Sequence, residues 1–450
     1  MKKIFQYIML AVVTIVMASC TSDIEETTAT TGKNNVQLVV GEFPAFGDSQ
    51  TRAIGTPDEG KTSWAVGDEL LLEIDNTFYG KQYATFTYNG KSWKLTSGEL
   101  VYREGDPAYI PHVYYAPNYK WEAGKLVLKE GKVAGTDEYI EGNARITGNG
   151  ETITVSFAEA TRKYSRLRIA TLPNEQITVD TEYFTPAGSS DMEQNGNYTL
   201  TSDEKGNAYL YGTFENNSEV SVKYREAALT THTFSQATES AKSYALDATV
   251  ISANSAEEIK SAIKQKVADG KTTIRLNLAP NAGTDEFMAI REAIKGAAPN
   301  DEGTIELTII GVETIPEEAF KRMSQLKSVK MPDVKEIKKY AFSECQYLTV
   351  VEAPSLNKLN SGAFNECYLL SKLTFGPINY ADARYWSIFE DITPNIDLIL
   401  SDYQKEMIET DDDLYTANND IDYAFSPEHV SKNFLGHKFK SITCRRYRVE

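Results

Sequence analysis

The chain contains 450 residues, of which 41% are hydrophobic, and this is enough for about three domains that each bury a core. Acidic residues outnumber basic residues by 64 to 46, and the net charge of -18 repels nucleic acid and anionic membrane surfaces. We therefore expect no nucleic-acid partner.

The N-terminal segment has the layout of a secretory signal. A basic start and an apolar run over residues 4–17 precede two small residues and Cys20. The run is too short to span a membrane as a helix. The layout resembles the lipobox of bacterial lipoproteins, which implies that residues 1–19 are a signal peptide and that Cys20 is lipidated. Ordinary signal cleavage nearby is the alternative.

Residues 20–35 are polar and rich in threonine, without an apolar period, which predicts a flexible tether. Asp23, Glu25 and Glu26 resemble the acidic export tag of Bacteroidetes lipoproteins. That resemblance implies a location on the outer face of the outer membrane, at the cell surface. A solvated linker is the alternative for these three acids.

From residue 36 to about residue 250, short segments of alternating hydrophobicity are separated by turn residues. Because almost no helical period lies between them, we predict two antiparallel β-sandwiches, over residues 36–160 and 161–250. Asn89-Gly90, between two alternating runs, predicts a hairpin with a type I′ turn, in which both central residues have positive φ.

The stretch GTPDEGKT, residues 55–62, matches the phosphate-loop pattern. The pattern binds nucleotide only when a helix follows it, and the next residues, SWAVGDELLLEI, have the alternation of a strand. Asp58 and Glu59 also place negative charge where a triphosphate would lie. We therefore predict an exposed turn between strands and no nucleotide site.

Several features in this order resemble the fimbrillin-like (type V pilin-like) proteins of Bacteroidetes. They are the lipobox, the strand VQLVV, the turn Thr51-Arg52-Ala53, the segment WAVGD from residue 64, and TITVSF before RLRI. The resemblance covers about residues 20–250 and implies two tandem transthyretin-like Greek-key β-sandwiches. It also implies proteolytic cleavage after an arginine in the first inter-strand loop, where Arg52 is the matching position, and pilus assembly by strand addition. A solvated turn is the alternative role of Arg52.

From Thr304 the sequence repeats with a period of 22 residues, and windows begin at Thr304, Leu326 and Leu348. An Ala-Phe pair recurs at one phase, with its phenylalanines at positions 320, 342 and 364. A period of 22 lies within the leucine-rich repeat range. One unit cannot bury its apolar face alone, so we predict a short stacked solenoid with repeats over about residues 304–376.

The rest of residues 251–450 is predicted to cap this solenoid. Upstream, Ser255 and Glu258 form a capping box for one helix, and TDEFMAIREAIKG predicts a second helix. TTIRLNLA, between them, predicts a strand. The register decays beyond Phe375, and the aromatic tail is expected to close the other end. The fold class is thus mainly β with an α/β part.

The Ala-Phe pair, the cysteine at the following turn and the proline after the strand resemble BspA-like leucine-rich repeats of bacterial and protist surfaces. Members of that family are implied to be adhesins or interaction surfaces and not enzymes. Within the repeat strands, the residues between buried positions are predicted to form an exposed row, which is our candidate ligand face. A plain solvated face is the alternative. The row contains Lys327, Ser328, Lys330, Thr349, Val350, Glu352, Ser371, Lys372 and Thr374.

Cys345 and Cys367 share a phase in adjacent repeats, and we predict buried thiols, with a disulfide as the alternative. His429, His437 and Cys444 are too loosely spaced to predict a zinc site. The stretch DDDLYTANNDID, residues 411–422, lacks the glycine and terminal glutamate of an EF-hand. We predict no metal and no cofactor.

No nucleophile elbow, metalloprotease helix or dinucleotide turn is present in the sequence, so we predict no enzyme. We predict a lipid-anchored surface protein, an adhesin or pilus-tip-like protein, in which a β-sandwich stalk presents a repeat head. The expected partners are a protein or glycan on host or neighbouring cells, and other pilus subunits bound by strand addition. A surface glycan-capture lipoprotein is the alternative.

Overall fold

A computed structural model describes residues 36–44, 46, 61–77, 79–101, 111–148, 153–157, 162–225, 227–253, 255–298, 300–381, 387–400, 409–410, 433–435 and 437–444. The predictions for Cys20, Arg52, His429 and residues 411–422 concern positions outside these ranges. The fold is mainly β: two β-sandwich units are followed by a leucine-rich repeat solenoid.

The first unit consists of short strands that alternate buried and half-exposed side chains. Its described strands are β1 (Val36–Val40), β2 (Glu69–Asn76), β3 (Gly80–Tyr88), β4 (Trp93–Gly98), β5 (His112–Tyr115), β6 (Tyr119–Glu122), β7 (Lys125–Leu128), β8 (Ile140–Asn143), β9 (Arg145–Gly148) and β10 (Ile153–Phe157). The sheet β4-β3-β2-β5-β8 packs on the sheet β1-β10-β9. Leu72 and Phe86 from the first sheet meet Phe157 from the second in one core.

A ribbon of β6 and β7 covers the other face of the larger sheet. Leu71 and Tyr119 are buried there, and the indole Nε1 of Trp121 donates to the carbonyl of Ala84 at 3.2 Å. This third layer could not be predicted from the sequence, because alternating hydrophobicity does not show which strands continue a sheet.

The hairpin at Asn89-Gly90 forms, but its turn differs from the prediction. Gly90 has a φ of 94°, whereas Asn89 is not in the positive-φ region, and the loop spans four residues between Tyr88 and Trp93. The side-chain Oδ1 of Asn89 accepts from the backbone N–H groups of Lys91 and Ser92, at 2.9 and 2.8 Å. This Asx-type closure replaces the type I′ turn.

The second unit has seven described strands: β11 (Ser165–Ala170), β12 (Gln176–Pro186), β13 (Glu193–Thr201), β14 (Asn207–Phe214), β15 (Glu219–Tyr224), β16 (Ala227–Thr233) and β17 (Ser243–Asp247). The sheet order is β16-β15-β12-β14-β11-β17, and β13 pairs with β12. Its core includes Leu167, Val179, Phe184, Leu210 and Phe214.

Most described strand pairs of the two sandwich units are antiparallel, as predicted, but each unit also contains a parallel pair. In each unit the first strand lies parallel to the last: β1 pairs with β10, and β11 pairs with β17. Two strands that are far apart in sequence need no tight hairpin between them, so they are free to pair in parallel.

The two sandwich units are joined by a buried polar network. Arg162 Nε and Nη2 donate to the carboxylate of Glu138 at 3.1 and 3.0 Å, and Tyr164 Oη donates to the same carboxylate at 2.9 Å. The ring of Phe46, which follows β1, lies 4.0 Å from the Arg162 guanidinium and 4.6 Å from that of Arg166. This network therefore joins residues of both units and of the segment after β1.

The solenoid begins after a link of only three residues, 248–250. Its described elements are β18 (Ile251–Ser252), α1 (Ala256–Ala268), β19 (Thr273–Asn277), α2 (Thr284–Ala297), β20 (Ile305–Ile310), β21 (Thr314–Ile315), β22 (Leu326–Lys330), β23 (Glu336–Ile337), β24 (Val350–Ala353), β25 (Lys358–Leu359), β26 (Lys372–Phe375), β27 (Tyr380–Ala381), β28 (Asp397–Leu400), β29 (Glu409–Thr410), β30 (Asn433–Phe434), β31 (His437–Lys438) and β32 (Ser441–Cys444). One parallel sheet runs β18-β19-β20-β22-β24-β26-β28-β32, and a second runs β21-β23-β25-β27-β29.

The predicted phenylalanine column forms the centre of the solenoid. Phe320, Phe342 and Phe364 are fully buried, and their rings stack at centroid distances of 5.2 and 5.5 Å. Phe287 of α2 extends the column at one end, at 5.6 Å from Phe320. At the other end Phe389 stacks on Phe364 at 5.8 Å.

The coil continues beyond the predicted repeats. Lys372 of β26 pairs with Asp397 of β28, which is a step of 25 residues instead of 22. This longer coil hides the register in the sequence, although Phe389 still occupies the position of the column. Parallel pairing then reaches β32.

The outer face of the first solenoid strands is covered by the second unit. Ile310 of β20 is buried within the core of that unit, and Arg275 Nε of β19 donates to the carbonyl of Leu229 at 2.6 Å. The open part of the sheet therefore begins at β22.

Candidate binding surface of the solenoid

The candidate face is the outer side of β22, β24 and β26. Val329, Val351 and Leu373 point into the core with no exposure, so the residues between them point outward. The register aligns the outward residues of successive coils into two rows. The first row is Ser328, Val350 and Lys372, and the second is Lys330, Glu352 and Thr374.

Most of the predicted residues are accessible. Lys327 and Ser371 are exposed, and six others are half-buried. The prediction was wrong for Thr374, which was expected to be exposed but is only 4% exposed. It lies in register between the larger residues Glu352 and Ile399, which flank its short side chain on both sides.

Two predicted ligand residues contribute to the stacking of the coils. Thr349 Oγ1 donates to the carbonyl of Lys327 at 2.8 Å, and Ser371 Oγ donates to the carbonyl of Thr349 at 3.0 Å. Each hydroxyl bonds to the backbone of the coil before it. Their hydrogen-bonding capacity is thus partly used within the protein.

Charges on the face are paired between neighbouring coils. Lys327 lies 2.8 Å from Glu306, and Lys330 lies 3.7 Å from Glu352. Hydrogen bonding to Glu306 raises the pKa of Lys327. Exposed pairs of this kind add little stability but neutralise the charges that take part. Of the predicted face lysines, all of which lie within the described residues, only Lys372 has no carboxylate within ion-pair distance.

None of the nine predicted face residues is aromatic, but an exposed tyrosine lies beside them. Tyr368 and Leu369 are 46% and 51% exposed, in the turn that precedes β26. Tyr368 Oη donates to Glu366 at 3.0 Å. The sequence contains a signal for this exposed pair, because this turn has Tyr-Leu where the two earlier repeat windows have Ser-Gln and Gln-Tyr.

Cys345 and Cys367 are free, fully buried thiols. Their sulfurs donate to the carbonyls of Phe320 and Phe342, at 3.0 and 3.1 Å. Burial raises the pKa of Cys345 to about 12 and raises that of Cys367 as well. A buried thiol with a raised pKa is chemically inert.

We therefore expect neither Cys345 nor Cys367 to react with a thiol reagent in the native protein, whereas both react after unfolding in denaturant. The test uses a chain that begins after Cys20 and carries Cys444→Ser, so that only these two cysteines remain. Two thiols per unfolded chain and none per native chain are expected. A reactive thiol in the native state, or none after unfolding, would contradict the assignment.

The phosphate-loop pattern is not followed by a helix. Residues 63–68 form turns and lead into β2. The Lys61 ammonium contacts the Asp68 carboxylate, with 2.6 Å to Oδ2, and lies 2.7 Å from Tyr115 Oη. This lysine is thus held within the first unit. Its contacts support a structural role for Lys61, whereas residues 55–60 of the pattern lie outside the described residues.

No metal-binding cluster of three or more His, Cys, Asp or Glu side chains occurs in the part of the chain that the structure describes. His437 is half-buried against the rings of Phe389 and Phe439, and burial lowers its pKa. Neither described helix is long and apolar enough to cross a membrane.

Residues 304–401 match the family model for the BspA type leucine-rich repeat region, in six copies. The chain has no match among curated proteins. A candidate cell adhesion protein of Bacteroides fragilis is similar in structure over 48% of this chain and 92% of its own, with 9% identity and a TM-score of 0.30. A minor pilin of Streptococcus agalactiae is similar over 48% of this chain and 94% of its own, with 10% identity and a TM-score of 0.17. These similarities are too low to assign a function.

Proposed function

We propose that this protein is a cell-surface binding protein, an adhesin or pilus-tip-like protein, whose solenoid presents the outer face of β22–β26 to a macromolecule. The observation that carries the proposal is the open, continuous face itself. The second unit covers β19 and β20, yet leaves the face free from Lys327 onward. Repeat solenoids bind partners through such stacked surfaces.

We place the protein at the outer surface of the outer membrane, anchored through a lipid on Cys20, with residues 20–35 as the tether. The lipobox and the acidic segment after it support this location. The two β-sandwich units then act as a stalk. The order of their sequence features supports a fimbrillin-like origin.

Cleavage after Arg52 is a separate proposal. β1 pairs with β10 over five residues, so removal of β1 would expose the β10 edge to a strand from another subunit. Mass spectrometry of cell-surface material tests this proposal. An intact N-terminus at Cys20 would exclude it.

A position at a pilus tip, or a standalone role, fits the chain order better than a shaft subunit. A shaft subunit must release its last strand to the next subunit. Here β17 is paired with β11 and is followed after three residues by β18 of the solenoid. Formation of long homogeneous filaments by the purified protein would contradict this role.

If the face binds its partner, Lys372→Ala is expected to weaken binding by at least about tenfold, because a hydrogen bond to a charged group contributes about 1.5–3 kcal/mol. Lys372 is accessible and its ammonium is not occupied by a carboxylate. The partner is first identified with host-matrix protein and glycan arrays on the whole ectodomain, and affinities are then measured by biolayer interferometry.

Lys358→Ala is the matched control, because Lys358 lies on the other sheet and pairs with Glu336 at 3.5 Å. The affinity of the Lys358→Ala variant for the partner is expected to equal that of the unmodified protein. Equal loss in both variants, or no loss with Lys372→Ala, would place the binding site elsewhere.

A further inference from the structure

The two sandwich units form a half-open crevice of about 300 Å³ beside their buried junction. The lining includes Tyr139 and Glu141 of the first unit, together with Lys163, Thr185, Ser189 and Thr213 of the second. We propose that this crevice is a binding site for a neutral saccharide. The inference is independent of the solenoid face, since none of its residues belongs to the solenoid.

The shape of the crevice is fixed by close contacts. Gly188 has a φ of 84°, and a Cβ at this position would lie 2.5 Å from Tyr119 Oη and 2.6 Å from the Tyr139 ring. The loop after β12 therefore lies directly against the tyrosines of the first unit. Tyr139 packs edge-on against Tyr119 at 5.3 Å, which holds its ring in place.

The charges of the crevice are paired with one another. Lys163 Nζ donates to Glu141 Oε1, and His112 Nε2 lies 3.7 Å from Glu141 Oε2. Hydrogen bonding to His112, and to a smaller extent to Lys163, lowers the pKa of Glu141 to about 2. Its carboxylate therefore stays ionised. Because the ammonium already faces a carboxylate, the crevice offers no net positive charge to an anion.

This combination of groups suits a polyhydroxylated, uncharged ligand. The half-buried ring of Tyr139 provides a flat apolar surface for the C–H face of a pyranose. The Glu141 carboxylate accepts hydrogen bonds from sugar hydroxyls, and Lys163 donates to them. The hydroxyls of Thr185 and Thr213 both donate and accept. Pockets of this size with a few convergent polar groups are typical at domain junctions.

Saturation-transfer NMR on the whole ectodomain tests the proposal. The probes are glucose, galactose, mannose and N-acetylglucosamine, with N-acetylneuraminic acid as the anionic comparison. We expect transfer to at least one neutral sugar at millimolar concentration and weaker transfer to the acid. Glu141→Gln and Lys163→Ala are each expected to weaken the binding by about tenfold, as loss of a charged hydrogen-bond partner does.

Lys163 has a side chain that is 72% exposed, so its removal leaves the fold intact. Lys129→Ala is the matched control, because Lys129 pairs with Glu69 at 2.9 Å on the same unit, outside the crevice. Three results would overturn the proposal: no transfer to any neutral sugar, equal binding by all variants, or preferred binding of the acid that is lost in Lys163→Ala.

Discussion

Phe342→Ala is expected to lower the free energy of unfolding of the solenoid by about 3–5 kcal/mol, which is the usual cost of truncating a buried phenylalanine. Phe342 is fully buried between the rings of Phe320 and Phe364, with interplanar angles of 18° and 7°. Truncation removes its contacts with both rings and leaves a cavity in the column. The stacked coils above and below limit how far the structure can close that cavity.

Two spectroscopic signals separate the solenoid from the rest of the molecule. Both described α-helices, α1 and α2, belong to the solenoid, so the helical circular dichroism signal follows its unfolding. In a Trp386→Phe background the three remaining tryptophans, Trp64, Trp93 and Trp121, all lie in the first unit. The variant is expected to shift the circular dichroism transition in urea and to leave the fluorescence transition in place.

Tyr368→Ala is the matched control, because it truncates an aromatic residue of the same solenoid that is 46% exposed. Its expected effect is within about 0.5 kcal/mol, as for other surface substitutions. If Phe342→Ala shifted neither transition, or if Tyr368→Ala shifted the circular dichroism transition equally, the column would not be the source of solenoid stability.

The solenoid was predictable because its repeat places the same residue types at the same core positions. Phe320, Phe342 and Phe364 are 22 residues apart, and this spacing alone predicts that they stack. The coil between β26 and β28 was not predictable in the same way, because its 25-residue step breaks the register. Phe389 is then visible as part of the column only in three dimensions.

The candidate face was predictable as a surface but not in its details. Alternation along a strand tells which residues point outward, and eight of the nine predicted residues are accessible. It does not tell that Thr374 is covered by larger neighbours, or that Thr349 bonds to the preceding coil. Such effects depend on residues that are 22 or more positions away.

In the sandwich units, too, long-range contacts could not be predicted from the local sequence. Their strands follow from local alternation, but the parallel pairs β1–β10 and β11–β17 join the two ends of each unit. Nothing local in the sequence encodes such a pair. The buried contact between Glu138 and Arg162 could not be predicted either, because charged residues are normally exposed.

Glu138→Gln is expected to lower the free energy of unfolding of the first unit by about 3–5 kcal/mol, because removal of one partner leaves the other charge buried and unpaired. The side chain of Arg162 is 1% exposed and that of Glu138 is 4% exposed. Burial raises the pKa of Tyr164, so its hydroxyl stays protonated and donates to the same carboxylate. The loss is expected in the tryptophan fluorescence transition.

The double variant Glu138→Gln, Arg162→Met removes both charges, and replacement of a buried pair by uncharged residues is often close to neutral. It is therefore expected to be more stable than Glu138→Gln alone, which gives a favourable coupling energy in a double-mutant cycle. Lys163→Ala breaks the neighbouring surface pair with Glu141 and is expected to cost at most about 1 kcal/mol. If the double variant lost as much as the two single variants together, the pair would not be coupled. The two sandwich units would then be held together by their apolar contacts, with Phe46 and the tyrosines of the junction as the main contributors.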